Sequence, residues 1–225
     1  MISALLRLGH KYNIPGLQES ATIRLRTCFP ETLENFKNSL TIDLGFTGEG
    51  YLQFEPPLIR MRLEEVPGVV NLARTYNLPT LLRPAFYLCT QIPMEELIKG
   101  YTDQDGTLVQ LSKDDLATCI SGSIYLMQHE FLEVSTFSSS PTGERCGYCD
   151  LDLLFRQPSP RWTAVVENAG ASLQPSSWLD PHLDPEFIDV CIGCTRRFRA
   201  LWDAYRLKTW DELPQIFGIE GEEAA

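Results

Sequence analysis

The residues of this chain best suited to chemistry are four cysteines in two pairs, Cys146 and Cys149 in CGYC and Cys191 and Cys194 in CIGC. A two-residue spacer lets the turn between paired cysteines bring both sulfurs to one metal, and two such knuckles complete a tetrahedral thiolate shell. The pattern predicts a structural zinc site at Cys146, Cys149, Cys191 and Cys194. The 41 residues between the pairs exceed the ~15–20 of a compact zinc ribbon, so a helical insertion, RWTAVVENAGASL, has to span them. Zinc there would stabilise a small lobe with little core of its own. Four reduced, partly buried thiols are the structural alternative.

A rival chemistry uses one pair alone. CGYC resembles the active-site tetrad of thioredoxin-like oxidoreductases, but a lowered thiol pKa there needs the first Cys at a helix N-terminus after a strand. Here the tetrad follows a polar linker with no parallel-sheet pattern around it. Cys28, Cys89 and Cys119 lie in helical apolar patterns and read as small core residues. Of the three histidines, His10 sits at a helix end, His129 in HEFLE lacks the partner His at i+4 of a zinc-protease helix, and His182 in DPHLDPEF reads as a turn residue. GFTGEG at 45–50 has glycines without the strand-to-helix setting of a phosphate loop, and no G-x-S-x-G elbow or kinase signature occurs. No catalytic or cofactor-binding residue is assigned, and a non-enzyme is expected.

Composition narrows the partners. A net charge of −11 with 19 basic residues in 225 argues against tracking a phosphate backbone, because such binding relies on Lys and Arg displacing counterions. A protein partner is expected instead. No apolar run reaches the ~18–20 residues of a membrane span, and MISALLRLGHKY has charges every few residues, unlike a secretory signal. No Asn begins an N-x-Ser/Thr acceptor. These features point to the cytoplasm or nucleus, with thiols mostly reduced or bound to metal.

The elements that must position these residues are announced by a repeat. LRLGHKYNIPGLQESA and VNLARTYNLPTLLRPA align at an offset of 64, pairing Leu8 with Leu72, Tyr12 with Tyr76, Asn13 with Asn77, Pro15 with Pro79, Leu17 with Leu81 and Ala21 with Ala85. In each copy an apolar i, i+3, i+4 pattern runs into Asn, which tolerates a left-handed turn, and then Pro, which suits the first turn of a new helix. Each copy is a helical hairpin, with Tyr12 and Tyr76 expected to wedge against neighbouring helices. Helices are expected at 2–12, 15–28, 30–37, 64–76, 79–90 and 93–99, with a bend at Pro84 and a loop or short hairpin over 38–60. The longest helix opens at Ser112 with Asp115 in the capping-box position and buries Leu116, Ile120, Ile124, Met127 and Phe131. In RRFRALWDAYRLKTW an apolar stripe of Phe198, Leu201, Trp202 and Tyr205 is opposed by Arg196, Arg197, Arg199, Arg206 and Lys208, a basic face that is either solvated or docks an acidic partner. Thr209 caps a short last helix anchored by Trp210, Leu213 and Phe217.

SALLRLGHKYNIPGLQESATIRLRTCFP resembles the closing helices of a BTB/POZ domain. VVNLARTYNLPTLLRPAFYLC and CIGCTRRFRALWDAYRLKTWDELPQIFG are similar to the regions C-terminal to that domain in fungal BTB proteins. The resemblance implies protein-protein interaction, as an adaptor or regulatory subunit. The strand-rich front, which in the family carries the dimer interface and much of the cullin-binding surface, has no counterpart before Met1, so neither role is carried over. The expectation is a mainly α protein: a domain of tandem helical hairpins over 1–134, a Ser/Pro/Gly-rich linker over 135–145, and a Cys-containing helical lobe over 146–225. The rival classes are a thiol-disulfide oxidoreductase using Cys146 and Cys149 and a nonfunctional fragment of a longer BTB protein.

Overall fold

The computed structural model describes residues 2–43, 51–54, 59–139 and 192–219. Within them the chain is mainly α. Helices α1 (Ile2–Lys11), α2 (Pro15–Cys28) and α3 (Leu33–Ser39) lead into strands β1 (Leu40–Asp43), β2 (Tyr51–Phe54) and β3 (Ile59–Arg62). Then come α4 (Val66–Thr75), a 3-10 turn over Pro79–Leu81, α5 (Leu82–Cys89) and α6 (Met94–Lys99). A two-stranded hairpin, β4 (Tyr101–Thr102) and β5 (Leu108–Val109), precedes α7 (Lys113–Ser139), and α8 (Ile192–Ile216) closes the series.

The sequence repeat is a structural repeat down to its hydrogen bonds. Asn13 and Asn77 both stand at φ 50°, the left-handed conformation that ends a helix. Ile14 N–H donates to the Gly9 carbonyl at 2.8 Å and Leu78 N–H to Ala73 at 2.8 Å, while Tyr12 N–H reaches Leu8 and Tyr76 N–H reaches Leu72, each at 2.9 Å. Each pair closes the last turn of its helix in a Schellman motif, using carbonyls that would otherwise be orphaned. Pro15 and Pro79 then open the returning element, where a missing N–H costs nothing. The motif recurs at the end of α8, where Gly218 at φ 56° lets Ile219 N–H reach the Pro214 carbonyl at 2.7 Å. Between the copies one difference is mechanical: a Cβ on Gly9 would sit 2.8 Å from Gln18 Cγ and 3.2 Å from Leu17 Cβ. The first hairpin is thus closed tightly by the absence of a side chain.

Pro84 acts where expected. It has no N–H for an α bond to residue 80, and the chain takes the tighter i→i+3 form over Pro79–Leu81 before α5 begins at Leu82. The segment expected as a loop or short hairpin carries more order. Its Thr, Ile, Tyr, Leu and Phe residues pair as an antiparallel sheet in the order β1-β2-β3, with Leu40 opposite Phe54 and Tyr51 opposite Arg62.

The core gathers both hairpins, α7 and the second half of α8. Trp210, Leu213 and Phe217 are buried as the sequence implies. Phe36 packs on Trp210 with ring centroids 4.9 Å apart, and Phe86 stacks on Phe217 at 5.3 Å. The Glu31 carbonyl accepts hydrogen bonds from Trp210 Nε1 at 2.8 Å and Arg83 Nη1 at 3.0 Å. One backbone oxygen between α2 and α3 therefore ties the second hairpin and α8 to the first.

The structure corrects four expectations. Tyr12 is 61% exposed, whereas its equivalent Tyr76 is half-buried. Along α7 the buried face runs through Asp115, Cys119, Ser123 and Leu126, and Ile124 points outward. Small and polar residues occupy that face because α8 approaches closely: a Cβ on Gly122 would run into the Phe217 ring. Thr209 is interior to a continuous α8 rather than the cap of a separate helix, and Arg206, read as part of a basic outer face, is only 2% exposed and lies 3.4 Å from Asp203. Ser112 does cap α7, accepting Asp115 N–H at 3.0 Å, and Asp115 Oδ1 accepts Arg74 Nε and Nη2 at 3.1 and 2.9 Å.

Candidate functional site

Where the two hairpins face each other they leave a groove of about 840 Å³. One wall comes from α1 and α2, through Ile2, Arg7, Arg24 and Leu25, with Cys28 and Phe29 at its base. The other is α4, which presents Gly68, Val69, Leu72, Thr75 and Tyr76. The β4-β5 hairpin closes one end with Tyr101, Asp103 and Leu108. That end is held in place by side-chain amides: Asn71 Nδ2 donates to the Gln110 carbonyl at 2.9 Å, and Gln110 Nε2 to the carbonyls of Ile98 and Lys99 at 3.3 and 3.0 Å.

Each wall has its own charge. The exposed guanidiniums of Arg7 and Arg24 stand on the α1-α2 side, and the carboxylates of Glu65 and Asp103 stand opposite. Burial pushes the Tyr101 phenol up to about 12, and the nearby charges of Asp103 and Glu65 add to the effect. Burial likewise pushes the Cys28 thiol up to about 11. Both stay protonated at neutral pH, so Tyr101 is a hydrogen-bond donor and Cys28 an apolar floor atom, not an activated nucleophile. The lining holds no histidine. Its chemistry is that of a binding surface: an apolar floor, amide and hydroxyl groups, and opposed charges.

Two other clusters are structural. Cys89 and Cys119 are free, fully buried thiols in contact across α5 and α7, and desolvation raises Cys89 well above the ordinary thiol value, with its hydrogen bond to Cys119 adding to the rise. His129 is stacked between Tyr125 and Tyr205 at centroid distances of 5.7 and 5.6 Å, shares a 3.2 Å hydrogen bond with the Tyr205 hydroxyl, and has Nε2 3.9 Å from Glu212. It joins α7 to α8. His10 meets the edge of Tyr76 at 5.6 Å and joins the ends of α1 and α4.

Of the expected zinc ligands, Cys146, Cys149 and Cys191 lie outside the described residues, as does His182. Cys194 is the third residue of α8, so the second knuckle opens directly into that helix. Among the described residues no group of three or more His, Cys, Asp or Glu is arranged to hold a metal, and no helix is long and apolar enough to cross a membrane. The groove itself was not foreseen. Its signal in the sequence was the repeat, since two like hairpins meeting at their turns leave a seam. No family model matches the chain, nor does any curated protein or solved structure.

Proposed function

We propose that this protein is a non-enzymatic protein-protein interaction scaffold or adaptor of the BTB type, and that the groove between its two hairpins receives a segment of its partner. The observation that carries the reading is the groove's composition: a floor of Leu25, Phe29, Val69 and Leu72 between a basic and an acidic wall, with the phenol of Tyr101 and the thiol of Cys28 both held neutral. A cavity of about 840 Å³ accommodates a handful of side chains, and apolar contact with a few oriented polar groups is how such sites gain affinity and register. Tandem helical hairpins suit scaffolding, because their stacked faces present extended surfaces. The resemblance to the region C-terminal to fungal BTB domains supports the same class.

The spacing of Cys146, Cys149, Cys191 and Cys194 supports a structural zinc site in the segment leading into α8. Elemental analysis of protein purified without a metal-binding tag, beside Cys191→Ser, tests it: one zinc per chain, lost in the variant, is the expected result, and no zinc refutes it. The cytoplasm or nucleus is the proposed location. The groove is tested by Thr75→Trp, which places an indole in it from an exposed position on α4. Folded wild type and variant serve as baits in quantitative co-purification. Proteins retained by wild type should fall at least about fivefold on the variant, in keeping with loss of a central contact; equal retention would remove the groove from the account.

A further inference from the structure

The repeat shows how its own surface is meant to be covered. Leu72 and Tyr76 of the second hairpin pack against the core, and His10 of α1 lies edge-on against Tyr76 at 5.6 Å. Their equivalents in the first hairpin, Leu8 and Tyr12, are 45% and 61% exposed. Hairpin one therefore covers the Leu-Tyr pair of hairpin two while leaving its own pair open, the relation of a head-to-tail stack. A further hairpin of the same chain type cannot fill the space with its second hairpin. The far side of α4 is already fixed to α7 through Arg74 and Asp115 at 2.9 Å.

Charge identifies what can. In this chain of net charge −11, the first hairpin is basic: Arg7, Lys11, Arg24 and Arg26 against Glu19. The Lys11 ammonium lies 5.4 Å from the centroid of the Tyr12 ring, beside the open pair. The complementary surface is on the same molecule. From Met94 to Val109 the chain carries Glu95, Glu96, Asp103 and Asp105 against Lys99. Met94 and Ile98, one helical turn apart on α6, are 40% and 50% exposed. The two surfaces thus have matching apolar pairs at i, i+4 and opposite net charges of three units each, from four minus one in both counts.

We propose that the outer face of the first hairpin is a self-association surface, in which Leu8 and Tyr12 of one copy dock on Met94 and Ile98 of a second. The contact is heterologous, distinct from the groove, and independent of any partner bound there. Opposite charge steers the encounter and disfavours the isologous alternative, which would set basic face on basic face.

Sedimentation velocity of the full chain, from about 5 to 200 µM at low and high salt, tests it. Wild type should associate with rising concentration, and less so in high salt. Tyr12→Glu and Ile98→Lys, both at exposed positions, should each weaken self-association at least about tenfold. Because each variant keeps one intact face, mixing them should restore a capped one-to-one dimer. Wild type that remains monomeric throughout overturns the proposal, and so do variants that fail to complement while wild type associates.

Discussion

At the scale of single residues, two asparagines do the same work 64 positions apart. A left-handed residue with a Cβ costs about 1–2 kcal/mol except where a short polar side chain relieves it, and glycine bears no such penalty. Asn13→Ala and Asn77→Ala should therefore each lose about 1 kcal/mol in urea unfolding, and the glycine variants under about 0.5. Equal losses for Ala and Gly would mean that the φ of 50° is not what these positions require. The tyrosines beside them should separate. Tyr12→Ala should cost under about 0.5 kcal/mol and Tyr76→Ala about 2, below a fully buried aromatic because its ring is only half covered. Buried thiols give the molecule an alkaline limit. Cys28 holds its proton to about 11, while an unfolded thiol releases it near 9.0. Over that window the unfolded chain binds fewer protons, so stability falls as pH rises, and below it the contribution is complete. The loss attributable to Cys28 is at most roughly 2–3 kcal/mol. Cys28→Ala should flatten the pH profile between these values, and an unchanged slope would remove the thiol as its cause.

At the scale of elements, the contact of α7 with α8 is set by what is missing from a side chain. Gly122 faces Phe217 with no room for a methyl group. Gly122→Ala should lose about 1–3 kcal/mol by overpacking despite its better helix propensity, and a stabilised variant would contradict the close approach. The same contact explains which parts of the fold were legible in the sequence. The hairpins were, because Asn-x-Pro punctuation and apolar spacing act locally, and α2 spans Pro15–Cys28 as its residues imply. The buried side of α7 was not, because Cys119, Gly122 and Ser123 carry little hydrophobicity and their burial depends on residues of α8 far along the chain. Arg206 was misassigned for the same reason: nothing nearby in the sequence marks its place against the core. Trp210 and Phe217 were legible as anchors, but the Glu31 carbonyl that receives Trp210 was not.

At the scale of the whole molecule, two hairpins of one pattern enclose a charged-walled groove, and α8 returns to lock them from behind. The groove was illegible because its walls come from segments far apart in the chain, each unremarkable alone. The account's central claim is that this groove binds protein segments. Selection of short peptides from a random display library against the full chain tests it most directly, with titration of the enriched sequences against wild type and Thr75→Trp. The account predicts peptides with apolar anchors and charges on both edges that bind in the micromolar range, lose at least about tenfold on Thr75→Trp, and invert their charge preference on Arg7→Glu with Arg24→Glu. Peptides that bind wild type and Thr75→Trp equally, or a selection that enriches nothing, would contradict it.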